Sequence, residues 1–286
     1  MKKLVSLLLV MACTFSLAAC GGSEEAASDE KVTAQVIEYD LTSEEYAFGV
    51  DKTQPELLEQ VNAFVAQIKE DGTLDEICDR YFGDGEPVAV TSAEFDASKD
   101  QLVVATNAEF EPFEYMKGDS YYGIDMEIAA LLAEELGKEL VIQNMSFDAV
   151  CLSVGQQKCD IAMAGLTVNE EREEYVTFTE SYYEASQRLI VPSSDTTFAE
   201  CADADAVTEI LAGLTGETSI GVQAGTTGQF FVEGDADWGF DGFAAKCVTY
   251  KSGALAVKDM LEGRIQYVII DAAPATAITE AMNAIQ

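Results

Sequence analysis

A few residues of this 286-residue chain carry groups that could grip a small charged molecule. Arg172 is one of four arginines, and a guanidinium presents the planar fork of donors that matches a carboxylate. Gly165 stands seven residues before it, and a missing Cβ lets a ligand approach the main chain. Gly225-Thr226-Thr227 opens a helix, where free N–H groups suit an anion. Asp271 follows four apolar residues at a strand end, and open α/β sheets gather ligands beyond their strand C-termini. Each has a plainer alternative. Arg172 on its own reads as an exposed helix arginine paired with Glu170 or Glu173. Thr226 suits an N-cap, and so does Asp271 ahead of the helix at Ala273. Phe110 and Phe147 suit a core.

Composition narrows the chemistry. Sixteen Lys and Arg stand against 52 Asp and Glu, a formal charge of −36. Such a surface repels polyphosphate, so nucleic acid is not expected as a partner. It repels anionic lipid as well, unless something covalent holds the chain to a membrane. There is no histidine, which removes every imidazole-based catalytic arrangement and the commonest zinc ligand. No cofactor and no metal site are expected.

Lys2 and Lys3 precede an apolar run from Leu4 to Leu17, too short for a stop-transfer helix, so the start reads as an export signal. Leu17-Ala18-Ala19-Cys20 resembles the lipobox of bacterial lipoproteins. That resemblance implies a signal peptide over 1–19, lipidation of Cys20 and attachment to the extracytoplasmic face of the cell membrane through acyl chains alone. Residues 20–31 are small and polar, a flexible tether. Of the later cysteines, Cys78 and Cys151 fall on apolar helix faces, and Cys159 joins them in no metal-ligand pattern. Cys201 and Cys247 are the pair to test for a bridge.

From residue 101 strand and helix alternate. Strands are expected at Leu102–Ala105, Leu140–Ile142, Ile161–Ala164, Leu189–Val191, Ile220–Val222 and Tyr267–Ile270. Helices are expected around Ile128–Leu136, Phe147–Gln157, from Thr226, at Ala254–Leu261 and at Ala273–Asn283. This is an α/β pattern with largely parallel sheets flanked by helices. Before residue 101 lie two short strands, Val36–Tyr39 and Tyr46–Val50. Two amphipathic helices follow, one after Pro55 and one at Leu74–Tyr81. So small a set cannot bury enough surface to stand alone and must pack on the rest. Residues 85–100 form a loose connection.

Phe110-Glu111-Pro112-Phe113, Gly123 to Glu127, Asp160 to Arg172, Val176 to Tyr183, Gly221 to Thr227 and Gly263 to Asp271 together resemble the family-3 solute-binding proteins of amino-acid ABC transporters. The resemblance implies a type II periplasmic-binding-protein clamp with two lobes and two hinge crossings. That family ends with a strand, an amphipathic helix and phrases like Glu70 to Ile77 and Tyr81-Phe82-Gly83. Here those come first, which implies a circular permutation joined through 85–100. Lobe 1 is then 46–84 with 101–191, and lobe 2 is 32–45 with 192–286. The crossings fall near Val191-Pro192 and Leu41–Tyr46, and Val36–Tyr39 pairs into the sheet of Tyr267–Ile270.

The resemblance also assigns roles. Arg172 clamps the ligand carboxylate, aided by Thr167, Gly165, Thr226 and Thr227. Asp271 holds the ammonium. Phe110 and Phe147 sandwich the side chain, and Asn107 occupies a position where receptors for basic amino acids often carry an acid. The implied partners are a free amino acid and an ABC permease with its ATPase, with the receptor a monomer that performs no catalysis. A dehydratase or glycan-cleaving enzyme on the same fold, or a ligand sensor, are the alternatives.

Overall fold

The computed structural model describes residues 31–83 and 85–285. The signal segment and Cys20 lie outside the described residues. Among those described, no helix is long and apolar enough to cross a membrane.

The chain runs through β1 (Ala34–Ile37), β2 (Glu44–Tyr46) and β3 (Gly49–Asp51) to helices α1 (Pro55–Glu70) and α2 (Thr73–Phe82). β4 (Gln101–Thr106) leads into a small sheet of β5 (Glu109–Phe110), β6 (Glu114–Lys117) and β7 (Ser120–Tyr122), then α3 (Ile124–Glu135). β8 (Glu139–Asn144), a 3-10 turn at Phe147–Ala149, α4 (Val150–Gly155), β9 (Ile161–Ala162) and α5 (Glu170–Glu173) follow. β10 (Val176–Phe178), β11 (Tyr183–Ala185) and β12 (Gln187–Pro192) come next. The remainder is α6 (Ala204–Ala212), β13 (Ser219–Gln223), α7 (Thr227–Glu233), β14 (Lys246–Tyr250), α8 (Gly253–Leu261), β15 (Tyr267–Asp271) and α9 (Ala272–Ala284).

Two five-stranded sheets organise these elements, ordered β10-β3-β9-β4-β8 and β1-β12-β15-β13-β14. Each has two antiparallel and two parallel pairs, so neither is mostly parallel as expected. The reason lies in the connections. Parallel pairs need a crossover, and the strands joined through α3, α4, α7 and α8 have one. β3 and β12 arrive through short connections without a helix, and β10 follows only the short helix α5, which leaves all three antiparallel. Both sheets are covered on both faces. In β4, Leu102 and Val104 enter the core shared with α1 and α3, while Val103 and Ala105 enter the one with α4. In β15, Val268 and Ile270 face α8 and α9, while Tyr267 and Ile269 face α6 and α7. That period of two explains why these strands read as unbroken apolar runs.

β2 and β11 form an antiparallel ribbon, Tyr46 opposite Tyr183 and Glu44 opposite Ala185. β2 links β1 of one sheet to β3 of the other, and β11 links β10 to β12. The expected crossing at Leu41–Tyr46 therefore falls at this ribbon. The other, expected at Val191-Pro192, lies upstream at β11, because β12 sits entirely between β1 and β15 with Leu189, Ile190 and Val191 buried. The single strand expected at Tyr46–Val50 is broken into two, which serve different sheets. The first strand is Ala34–Ile37, and its partner β12 lies beside β15.

Residues 85–100 are less loose than expected. Val90 is buried against Met126 and Ile142 and bridges to Tyr121. Ser92 Oγ accepts from Ile142 N, and Ala93 N donates to Leu140 O. The segment satisfies edge groups of β8 that water would otherwise take. Cys201 and Cys247 border one apolar cluster but are both free, as are Cys78, Cys151 and Cys159.

Candidate functional site

Arg172 is 8% exposed rather than a surface helix arginine. Asn169 caps its short helix by accepting from Arg172 N at 2.7 Å. Nη1 donates to Thr167 O at 2.6 Å and Nη2 to Gly225 O at 3.1 Å. Its Cζ lies 5.1 Å from the Phe147 ring centroid, within cation–π range. Among the described residues, no carboxylate forms an ion pair with it. The guanidinium is held by neutral acceptors alone.

Gly165 adopts φ +52°, and a Cβ there would meet Phe110 Cε1 at 3.0 Å. Its N–H donates to Asp125 Oδ2 at 2.9 Å. Gly225 adopts φ +76°, with Phe147 and Asp148 the nearest neighbours of an added Cβ. These two glycines set the turns that bring the Thr167 and Thr226 segments to Arg172.

Thr167 links Arg172 to an acidic group. Its hydroxyl donates to Glu44 Oε2 at 2.8 Å. Glu44 Oε1 accepts from Thr42 Oγ1 at 2.6 Å and Gln187 Nε2 at 3.0 Å. Asp271 holds the N-cap position of α9 yet makes no capping bond; its Oδ1 accepts from Tyr46 OH at 2.5 Å. Burial raises the Asp271 carboxyl to about 7, the charge of Glu44 adds to the rise, and donors from Tyr46 and Gln187 oppose it. No cation pairs with either acid among the described residues.

Between the two sheets Asn107, just after β4, donates Nδ2 to Met145 O at 2.8 Å and accepts from Gln223 Nε2 at 3.0 Å. Gln223 ends β13, and Thr226 Oγ1 donates to its carbonyl at 2.8 Å instead of capping α7. The Thr227 hydroxyl is buried without a partner. Phe110 packs on Phe113 and against Gly165, in a different apolar cluster from Phe147.

The structure thus joins Thr167, Arg172 and Phe147 to Gly225, while Gly165 packs against Phe110 and donates to Asp125. It also joins Thr167 to Glu44 and the Asp271 group, and Asn107 to Gln223 and Thr226. Sequence reasoning missed Glu44, Tyr46, Gln187 and Gln223. A polar residue between Val222 and the Gly225 turn was the signal available for Gln223. A second acid centre lies beneath. Asp125 Oδ1 accepts from Tyr182 OH at 2.5 Å, and burial raises this carboxyl to about 7 against the pull of the Gly165 and Tyr182 donors. Glu114 beside it is fully buried with neither oxygen bonded. Burial, then the charges of Asp125 and Asp271, push it well above the carboxylate range.

The chain is 30% identical over 131 residues to the arginine-binding extracellular protein ArtP of Bacillus subtilis, covering 46% of this chain and 47% of that protein. It thus spans about half the length of that relative. Holo ArgBP from T. maritima superposes with a TM-score of 0.54 at 31% identity, over 64% of this chain and 74% of that one. The ancestral amino acid-binding protein AncCDT-1, a precursor of cyclohexadienyl dehydratase, gives 0.53 at 25% identity, over 73% and 78%. The sequence profile of the bacterial extracellular solute-binding proteins, family 3, matches residues 11–84 and 102–281, and the chain belongs to that family.

Proposed function

We propose that the chain is a lipid-anchored extracytoplasmic receptor that closes on a polar amino acid and hands it to an ABC permease and its ATPase. One observation carries this reading. Arg172 is ringed by carbonyls, while Asp271 and Glu44, on the far side of Thr167, are ringed by neutral donors. A zwitterion supplies the missing counter-charge at both ends. Arg172, Gly165, Thr167, Thr226 and Thr227 take the carboxylate. Asp271 takes the ammonium. Phe110 and Phe147 flank the side chain, with Asn107 at its end. The named relatives are binding proteins, and no catalytic step belongs to this reading.

The same proposal includes the signal over 1–19, acylation of Cys20, the 20–31 tether and a monomeric receptor. It also includes two lobes hinged at the β2–β11 ribbon and a permuted order in which 32–84 is the family's C-terminal segment. The pairing of β1 with β12 and of β3 with β9 and β10 supports the permutation, since the leading segment contributes to both sheets. The extent of the ArgBP superposition, 64% of this chain, also fits it. A chain reordered as 101–286 followed by 32–84 then folds and binds like the parent. Failure to fold overturns the permutation.

The binding test is thermal unfolding of residues 21–286 against each amino acid. A micromolar ligand at millimolar concentration stabilises by about 4 kcal/mol, and Arg172→Ala abolishes that shift. No shift with any amino acid overturns the receptor reading.

A further inference from the structure

The amide pair that spans the cleft carries information about the ligand's side chain. The Met145 carbonyl only accepts, so it fixes Asn107 with Nδ2 towards Met145 and Oδ1 towards Gln223. Oδ1 only accepts, so it fixes Gln223 with Nε2 towards Asn107. The order of both amides follows from one backbone carbonyl. Gln223 Oε1 is then left over: the residue is 1% exposed, and this oxygen has no partner. A buried acceptor without a donor is costly, and a ligand that donates to it recovers the loss.

Each primary amide has two N–H groups, and each of these two has one engaged across the pair or at Met145. The pair therefore offers one acceptor and further N–H donors. A carboxamide answers both, with its NH2 to Oε1 and its C=O to an amide N–H. A guanidinium or ammonium has donors only, and meets N–H with N–H. It also needs a buried anion. The buried acids Glu44 and Asp271 lie on the far side of Thr167; the acid next to Gly225 is Asp148, which is exposed, and Arg172 already places a cation at the Gly225 carbonyl.

Resting on the amino-acid reading above, we propose that Gln223, oriented by Asn107, selects an amino acid whose side chain ends in a carboxamide, glutamine or asparagine, over arginine and lysine. This chain then parts from ArtP, whose name states arginine. The pair acts by mismatch as much as by match, since a cation both lacks an anion and leaves donors facing donors.

Calorimetric titration of residues 21–286 with L-glutamine, L-asparagine, L-arginine and L-lysine tests this. Glutamine or asparagine is expected to bind at least about tenfold tighter than either cation. Gln223→Leu is expected to erase most of that ratio, and Asn107→Asp to invert it towards arginine and lysine. Tightest binding of arginine or lysine by the parent chain, abolished by Arg172→Ala, leaves the receptor reading standing and overturns this one. An unchanged ratio in folded Gln223→Leu overturns it too. No binding of any amino acid, with Arg172→Ala indistinguishable from the parent, overturns both.

Discussion

Two buried acid centres of this molecule share a construction and differ in what surrounds their glutamates. In each, an aspartate accepts from a tyrosine hydroxyl at 2.5 Å, Asp271 from Tyr46 and Asp125 from Tyr182. In each, burial lifts the aspartate to about 7, and a glutamate stands by, Glu44 or Glu114. The glutamates differ. Glu44 accepts from Thr42, Gln187 and Thr167, whereas Glu114 accepts from nothing and is held neutral by burial. The first centre is surrounded by neutral donors and has no cation partner among the described residues. The second ties down the Gly165 main chain and carries little charge. On the proposed reading, the same residue types become a ligand site or a scaffold according to how many donors surround the glutamate.

The sharpest break of that comparison is Asp271→Asn. It keeps the shape and the Tyr46 contact but removes the charge that the proposed function assigns to the ligand ammonium. Affinity for the bound amino acid is expected to fall about a hundredfold, near 2.7 kcal/mol, with the ligand-free midpoint almost unmoved. Titration calorimetry beside thermal unfolding separates the two. A large loss of ligand-free stability instead makes this centre a scaffold too.

Asp125→Ala is expected to behave the other way. It strands the Gly165 N–H and the Tyr182 hydroxyl in a buried site, and costs about 2 kcal/mol of folding stability. Ligand binding then weakens only as far as the Gly165 turn loosens. Denaturant unfolding with and without ligand reads both. Glu114→Leu sharpens the contrast further. Removing a carboxyl with no partner from a dry core stabilises by about 1 to 2 kcal/mol, where Glu44→Leu destabilises because three donors lose their acceptor.

The phrases that hold the proposed ligand residues stand out in the chain itself. Arg172, Gly165, Thr226 and Asp271 sit in phrases whose spacing marks them. The local environments that decided between their alternatives were not legible. Nothing in the run Thr42 to Tyr46 separates Glu44 from the 51 other acids, because its place depends on β2 meeting β11 and on Thr167 arriving from the other sheet. The crossing that the resemblance implies at Val191-Pro192 falls elsewhere, because Pro192 closes a strand that lies between β1 and β15. Cys201 and Cys247, the pair to test for a bridge, are free; sequence alone says nothing of Sγ geometry.

The smallest effect is the most discriminating, because it runs in opposite directions for stability and binding. Burial pushes both aspartates up to about 7 in the folded chain, whereas an unfolded aspartate keeps the ordinary 3.8. The folded state thus holds more protons between about pH 4 and 7. Ligand-free stability is expected to be fullest below that window and to fall as pH rises through 7. Binding needs Asp271 ionised, so affinity is expected to rise about tenfold from pH 6 to pH 8, with proton release on binding. Titrations near pH 7 in buffers of different ionisation enthalpy count that proton. Asp271→Asn is expected to remove the release and Asp125→Asn to leave it. Release that survives Asp271→Asn assigns the proton to another group and ends the distinction between the two centres.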